Sequence, residues 1–413
     1  MKLSVALGSP ARPVVSKASI VNEKCDGIDV GLGALHTVKL TLHNNNQHIQ
    51  MNIKIVNLNM IRIFFLLVTI ISQPVYADHF PTETELQSIF SRYMEKKLPT
   101  NAGAILGVME ADGRVKIVSV GSSGNDGKPI NKNSIFEIGS ITKVFTSVAL
   151  VEMVRQGDVK LLDPVSTYLP DTVKVPSKEN TQIKLIDLST HSSGLPRLPS
   201  NMPISDPSNP YFDYTYEQLY AFLSNYKLKR KIGHKVRYSN LGFGLLGHAL
   251  SNANGTSFHD LITEKVLTPL DMRFTGVKLT PQMQSLIVKG HNKKGIAVSL
   301  WDLPTMAGAG ALRSNMTDML KFLAANISEP DTKLIKSIHE THSPQLKISN
   351  KKNIGLAWGI GKDQPILIGH SGGTGGFSSL IAFDPKKKVG LVLLSNTNKS
   401  SVLKIGYRLL SKN

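Results

Sequence analysis

A serine and a lysine three residues apart are the first candidates for chemistry in this chain. Ser140 and Lys143 belong to an S-x-x-K tetrad that opens a long amphipathic segment. On a helix, positions i and i+3 lie on one face about one turn apart, which puts a hydroxyl beside an amine. A serine hydroxyl is a weak nucleophile until a neighbouring base takes its proton, and burial lowers the pKa of a lysine toward that task. The same spacing also occurs on solvated helix surfaces, so the tetrad gains weight only from motifs further along the chain.

A second group of polar residues, Tyr238-Ser239-Asn240, precedes a predicted helix. A tyrosine phenol relays a proton when a nearby cation lowers its pKa, and an asparagine side chain both donates to and accepts from a peptide-like substrate. Serine and asparagine are also good helix N-caps, so a turn that caps the next helix explains the tripeptide equally well.

A third, glycine-rich group covers residues 370–376, HSGGTGG, between two predicted strands. Glycines on an edge strand let a substrate backbone approach closely, and backbone N–H groups there can face an oxyanion. The alternative is a glycine-rich hairpin without chemistry.

These three motifs, in this order and at these separations, resemble the penicillin-recognising serine hydrolases. That family includes class C β-lactamases, D-alanyl-D-alanine carboxypeptidases and related esterases. The resemblance covers nearly all of residues 80–410. It also includes four shorter stretches, residues 183–188, 190–196, 269–272 and 307–313.

The resemblance implies a role for each motif residue. Ser140 is the acylated nucleophile, Lys143 its base or proton relay, and Tyr238 the group that protonates the leaving nitrogen and later helps activate water. The backbone N–H groups of Ser140 and Gly373 form the oxyanion hole. The substrate-binding residues are Asn240, His370, Ser371 and Gly372. No metal and no organic cofactor is implied.

His370 departs from the pattern of class C β-lactamases, in which the third motif usually begins with lysine. That lysine is a permanent cation facing the substrate carboxylate, whereas a histidine is charged only part of the time near neutral pH. Histidine is familiar at this place in the peptidases and esterases of the family. The substitution therefore keeps a carboxylesterase open as an alternative.

Two further motifs compete with this interpretation. Residues 369–373 match G-x-S-x-G, which would make Ser371 the nucleophile, but that motif needs a strand-to-helix turn and a later histidine, and no histidine follows His370. Residues 339–342 read H-E-T-H rather than H-E-x-x-H, so the two histidines would not share a helix face. The sequence therefore predicts a solvated stretch there and no metal site.

Hydrophobic periodicity predicts strands at both ends of the chain and a helical middle. The predicted helices cover residues 82–97, 140–156, 241–253 and 402–410. The predicted strands cover residues 104–110, 115–120, 356–360, 366–368, 377–383 and 389–394. This order predicts an α/β (α+β) fold, β-lactamase/transpeptidase-like by the resemblance. One antiparallel sheet is formed by the N- and C-terminal segments, with flanking helices and an inserted helical lobe at about 158–345.

The composition, with 41% hydrophobic and 19% charged residues over 413 residues, is that of a globular protein. A formal charge of +18 favours anionic surroundings such as nucleic acid, acidic lipid or a cell-wall polymer, although a generally basic, soluble enzyme without a specific polyanion site explains it more simply. Zinc-knuckle spacing, an RNP-like aromatic strand and a dense Lys/Arg helix are missing from the sequence, which argues against nucleic acid. Cys25 is the only cysteine, so there is no disulfide framework.

Residues 60–77, MIRIFFLLVTIISQPVYA, have the pattern of a secretory signal peptide. A short basic region precedes a nine-residue apolar region, too short for a comfortable membrane span, and Ala77 is the last residue before the expected cut. We therefore expect Met60 to be the true start and residues 1–59 to be a non-native or disordered leader. The mature chain, residues 78–413, would then be periplasmic or secreted, without a stable membrane span.

Together these observations predict an exported acyl-serine hydrolase that opens a β-lactam or cleaves a D-Ala-D-Ala peptide through a Ser140 acyl-enzyme. A small molecule or a peptidoglycan peptide is the expected substrate, with association with the cell wall. The alternatives are a carboxylesterase of the same fold and a non-catalytic penicillin-binding relative.

Overall fold

The computed structural model describes residues 14–21, 36–44, 47–55, 78–125 and 127–411. The chain divides into two compact units, Met1–Ala77 and Asp78–Asn413. The first unit contains three antiparallel strands, which the weak periodicity of its sequence does not predict: β1 (Val14–Val21), β2 (His36–Asn44) and β3 (Gln47–Ile55). The predicted signal peptide at 60–77 lies outside the described residues, and it stays a prediction together with the leader, the cleavage and the domain limits.

The second unit is built on an eight-stranded antiparallel sheet. Its strands follow the order β10-β11-β12-β13-β14-β15-β4-β5, and two further pairs, β6 with β9 and β7 with β8, stand apart. The bounds are β4 (Gly103–Met109), β5 (Val115–Gly121), β6 (Phe136–Glu137), β7 (Gly290–His291), β8 (Ala297–Val298), β9 (Arg313–Ser314), β10 (Leu346–Ser349), β11 (Lys352–Ile354), β12 (Gly359–Gly361), β13 (Ile368–Gly373), β14 (Ser378–Asp384) and β15 (Val389–Ser395). Because β15 pairs with β4, the two ends of the unit share one sheet, as the sequence predicts.

Helices cover the sheet and fill the middle of the chain. They are α1 (Glu83–Glu95), α2 (Thr142–Gln156), α3 (Leu185–Ser189), α4 (Tyr216–Asn225), α5 (Asn240–Asn254), α6 (Phe258–Ile262), α7 (Pro281–Leu286), α8 (Ala307–Gly310), α9 (Met316–Ile327), α10 (Lys333–Glu340) and α11 (Lys404–Leu410). Thr82 caps α1 with the predicted capping box. Within the described part of the chain, no helix is both long and apolar enough to cross a bilayer.

Both faces of the sheet are buried, and the residues of strand β4 belong alternately to two separate cores. Successive strand residues point to opposite faces. Ile105 and Met109 belong to one core, and this core also includes apolar residues of α2 and α9. Leu106 and Val108 join a second core with apolar residues of α1 and α11. The sheet is therefore the middle of three layers, and strand β13, which carries the third motif, lies within it.

Helix α2 is the element that carries the S-x-x-K tetrad. It begins two residues later than predicted, because a 3₁₀ turn, Gly139–Ile141, precedes it and contains Ser140. Gly139 has φ +48°, and a side chain there would press against the backbone of Gly373. This contact brings the turn against strand β13.

Three local predictions are wrong. Residues 370–373 lie within β13 and not between strands. The apolar run at 356–360 is mostly a buried loop, because Leu356 N–H bonds to the carbonyl of Thr341 and not to a neighbouring strand. His342 is not solvated: it packs against Trp358 and Phe383, and its Nε2 lies 2.8 Å from Oδ1 of Asn326.

Candidate active site

The structure brings the first two sequence motifs into direct contact. Lys143 Nζ lies 3.0 Å from Ser140 Oγ, and the Tyr238 hydroxyl donates to the same oxygen at 2.6 Å. Ser140 and Tyr238 are 98 positions apart in the chain. The 3₁₀ turn presents the serine, α2 presents the lysine, and the loop before α5 presents the tyrosine.

Lys143 is completely buried. Burial, with a smaller contribution from the nearby Arg197 charge, holds the pKa of Lys143 well below its usual value. Its Nζ lies 3.0 Å from Oδ1 of Asn240 and 2.6 Å from the carbonyl of Ala309. A neutral amine has two N–H donors and one lone pair. The two carbonyl-type oxygens can take the donors, which leaves the lone pair to accept the Ser140 proton.

The pKa of Tyr238 is shifted in the direction opposite to that of Lys143. Burial raises its pKa to about 12, although the Ser140 hydrogen bond and the Arg197 charge oppose that rise. The proton-relay role predicted from the motif needs a nearby cation that lowers this pKa, but the desolvation of the phenol outweighs the effect of the Arg197 charge. Tyr238 is therefore protonated at neutral pH, and it faces Ser140 Oγ as a hydrogen-bond donor.

Asn240 stands at the first position of α5 and contacts both sides of the site. Its Oδ1 accepts from Lys143, and its Nδ2 donates to the hydroxyl of Tyr211 at 3.0 Å. One amide hydrogen and one lone pair remain for a substrate. Tyr211 was not predicted, because it lies in a loop without periodicity.

One pocket of about 70 Å³ joins these groups to the third motif. It is lined by Gly139, Ser140, Arg197, Tyr211, Asn240, Trp301, Leu303, Ala309, Gly310, Gly373 and Thr374. Ser140 and Gly373, the two residues predicted to supply oxyanion donors, therefore face the same space. The three motifs do not single out three of the lining residues, Arg197, Trp301 and Ala309. Arg197 directly follows the stretch 190–196, and Ala309 lies within the stretch 307–313, and both stretches belong to the family resemblance.

Three of the predicted substrate-binding residues do not line this pocket: His370, Ser371 and Gly372. Gly372 lies against the carbonyl of Ile138, where a Cβ would overlap that oxygen. Ser371 is exposed on β13, in a strand rather than a strand-to-helix turn, and does not line the pocket. Burial lowers the pKa of His370 to about 3, so its imidazole is neutral at pH 7.

His191 fixes the loop that carries Tyr238. Its Nδ1 accepts from the N–H of Ser239 at 3.0 Å, and its carbonyl accepts from the N–H of Arg237 at 2.7 Å. Its ring packs on the Tyr238 ring with centroids 4.5 Å apart. Burial keeps the pKa of His191 well below its usual value, so it acts as a neutral support.

Similarity to known proteins agrees with this geometry. The family model described as Beta-lactamase matches residues 87–411. The D-alanyl-D-alanine-carboxypeptidase/endopeptidase AmpH of Escherichia coli (strain K12) is 31% identical over 337 residues, 76% of this chain and 86% of that protein. A beta-lactamase of Pseudomonas fluorescens is 26% identical over 333 residues, 72% and 89% of the two chains.

The fold agrees as well. The crystal structure of a beta-lactamase/D-alanine carboxypeptidase from Pseudomonas syringae superposes with a TM-score of 0.69 at 22% identity, covering 79% of this chain and 98% of that one. The predicted fold and the predicted class of enzyme, a serine hydrolase, are confirmed. The chain belongs to the beta-lactamase family of penicillin-recognising serine hydrolases.

Proposed function

We propose that this protein is an exported acyl-serine hydrolase that attacks the amide carbonyl of a β-lactam or a D-Ala-D-Ala peptide through Ser140. The observation that carries the proposal is the continuous contact Lys143–Ser140–Tyr238, in which a buried amine and a protonated phenol meet at one hydroxyl oxygen. Acylation by an amide requires a base that accepts the serine proton and an acid that protonates the leaving nitrogen, and the two groups supply these roles.

Acylation proceeds in two proton transfers. The Ser140 proton moves to Nζ of Lys143 as Oγ bonds to the carbonyl carbon, and the carbonyl oxygen becomes an oxyanion beside the N–H groups of Ser140 and Gly373. The carbon–nitrogen bond then breaks, and the leaving nitrogen takes the proton of the Tyr238 hydroxyl. The phenolate recovers a proton from the Lys143 ammonium, which restores both groups.

Deacylation repeats the chemistry with water. Water attacks the ester carbonyl while Lys143, with help from Tyr238, accepts one of its protons. The carbon–oxygen bond to Ser140 breaks, and Oγ takes that proton back. The products are the free acid and the starting enzyme, so the cycle needs no cofactor.

The names of two relatives support an amide as the substrate of this protein. One is named a D-alanyl-D-alanine-carboxypeptidase/endopeptidase and another a beta-lactamase. Both reactions begin with a serine attack on an amide carbonyl, in an open peptide or a strained ring. We extend that substrate class to this chain, with peptidoglycan peptides as the natural form.

Labelling with a fluorescent penicillin tests the proposal. The wild-type protein should gain one adduct, and peptide mapping should locate it on Ser140. Ser140→Ala should gain none, whereas Ser371→Ala, which removes the serine of the competing G-x-S-x-G motif, should still be labelled at Ser140. An unlabelled wild type favours the non-catalytic relative, and equal labelling of Ser140→Ala rules out the assigned nucleophile.

A carboxylesterase of the same fold is the second candidate, and the neutral His370 favours it, because the third motif then lacks the cation that usually faces a substrate carboxylate. Parallel assays of nitrocefin, a D-Ala-D-Ala muropeptide and a p-nitrophenyl ester separate the two. Turnover of the ester alone would establish the esterase.

Export is part of the same proposal and rests on the signal-peptide pattern at 60–77. N-terminal sequencing of the protein recovered from the periplasm or medium should begin at Asp78. A mature chain that begins well before this residue would contradict both the cleavage site and the assignment of residues 1–59 as a leader.

A further inference from the structure

Among the described residues that line the active-site pocket, Arg197 alone carries a permanent charge. Lys143 lies behind Ser140 with a strongly lowered pKa, and the imidazole of His370 is neutral. The third motif therefore does not supply the fixed cation that its family position usually provides. Arg197 is therefore the fixed positive charge that this pocket offers to an anionic part of a substrate.

The Arg197 guanidinium has no acidic partner in the described chain. It takes part in none of the ion pairs formed there, and the pocket is lined by no aspartate or glutamate. Its side chain is exposed. An unpaired guanidinium is a planar, permanently charged donor that matches a carboxylate with two parallel hydrogen bonds.

Two contacts place Arg197 beside the reacting groups. Its guanidinium carbon lies 4.9 Å from the centroid of the Tyr238 ring, whose hydroxyl is 2.6 Å from Ser140 Oγ. Its carbonyl accepts the N–H of Asn240 at 3.0 Å. The backbone hydrogen bond therefore fixes Arg197 beside the start of α5. Its guanidinium lies over the ring of the tyrosine that is hydrogen-bonded to the nucleophile.

We propose that Arg197 binds a carboxylate of the substrate and makes this site selective for anionic over otherwise identical neutral substrates. The inference rests on the proposed function, because it assigns a specificity to the same Ser140 site. The carboxylate belongs either to the leaving group or to the acyl group, and a matched pair of substrates for each side of the scissile bond distinguishes the two.

A different role for Arg197 predicts different kinetics. Its charge also lowers the pKa of Lys143 and opposes the rise in the pKa of Tyr238. If that were its whole contribution, removing it would slow charged and neutral substrates alike and would move the pH profile. A binding role changes KM for the charged substrate alone, because the contact is made equally in the ground state and the transition state.

Two matched pairs of esters test the proposal. The first pair carries the charge on the leaving group: phenylacetylglycine esterified with 3-hydroxybenzoate or with 3-hydroxybenzamide. The second carries it on the acyl group: 4-nitrophenyl glutarate or 4-nitrophenyl glutaramate. Each pair differs by one carboxylate, and each reports phenol release directly.

Wild type should prefer the carboxylate member of at least one pair. Arg197→Gln should raise KM for that member on the order of tenfold or more, which is the size of one charge-assisted contact, and should leave its neutral partner within about twofold. Arg197→Lys should recover part of the preference. Arg237→Gln, which removes an exposed cation next to Tyr238 but outside the pocket, should keep it.

The opposing results are distinct. No carboxylate preference in wild type, an unchanged preference in Arg197→Gln, or an equal loss for both members of a pair each overturns the role of Arg197. If wild type instead releases no phenol from any of the four esters and takes no penicillin label, the proposed function itself fails.

Discussion

Replacing the buried Glu137 with glutamine should remove a large pH dependence of stability. Glu137 ends strand β6, two residues before the turn that presents Ser140, and its side chain is 3% exposed. Its Oε1 accepts the N–H of Trp301 at 2.6 Å and lies 3.7 Å from the Arg313 guanidinium. Burial outweighs the attraction of Arg313 and raises the pKa of Glu137 to about 7.

The sign and size of the effect come from the difference between the folded and unfolded pKa values. Between pH 4.5 and 7 the folded protein holds a proton that the unfolded chain has released, so the free energy of unfolding decreases as the pH rises. A difference of about 2.5 pKa units, at about 1.36 kcal/mol each, gives a loss of about 3 kcal/mol once the pH exceeds 7. Glutamine keeps the shape and the acceptor but carries no proton to lose.

Urea unfolding at a series of pH values checks this. Wild type and Glu137→Gln should have similar free energies of unfolding at pH 4.5, and the variant should be the more stable by about 3 kcal/mol at pH 8. Glu217→Gln, the same change at an exposed helix position, should not reproduce the widening gap. A gap that stays constant with pH, or a variant that is less stable at pH 8, would refute the reasoning.

Three further expectations concern the reacting groups. Tyr238→Phe removes the acid that protonates a leaving nitrogen, so penicillin acylation should slow by about 10²–10⁴-fold, whereas a p-nitrophenyl ester, whose leaving group needs no proton, should be affected much less; equal losses would contradict this role. Acylation by an ester should reach its full rate well below pH 10 and fall toward acid pH, because Lys143 is a base only when deprotonated and burial holds its pKa well below the usual value; a profile that rises only near pH 10 would show an ordinary lysine. Gly372→Ala should place a methyl group into the Ile138 carbonyl, lower the stability by about 1–3 kcal/mol in thermal unfolding and abolish penicillin labelling; normal labelling would show that β13 tolerates the shift.

Local patterns predicted most of the framework. The strands at 104–110, 377–383 and 389–394 are found within one residue of their predicted ends, because two-sided burial selects continuous apolar runs. Gly157 ends α2 with φ +86°, as expected of a glycine C-cap. The predicted strand at 356–360 is only partly formed: Gly359 and Ile360 belong to β12, whereas the N–H groups of Leu356 and Ala357 bond to carbonyls at the ends of α10 and α3. Burial of the apolar residues in both halves of the run explains why an apolar pattern does not separate them.

The sequence by itself determined the pairing of Ser140 with Lys143, because a spacing of three residues at the start of a helix places two side chains on one face whatever the rest of the chain does. It also determined the order of the three motifs and the class of enzyme that this order implies.

Only the tertiary structure decided the protonation of these groups and the location of the fixed charge. Lys143 becomes a base, Tyr238 an acid and His370 neutral through burial by segments far away in the chain, such as Ala309, which is 166 positions from Lys143. Arg197 reaches the pocket because its loop packs against the start of α5. No spacing rule encodes desolvation or contacts between distant loops, since both arise only when the whole chain is packed.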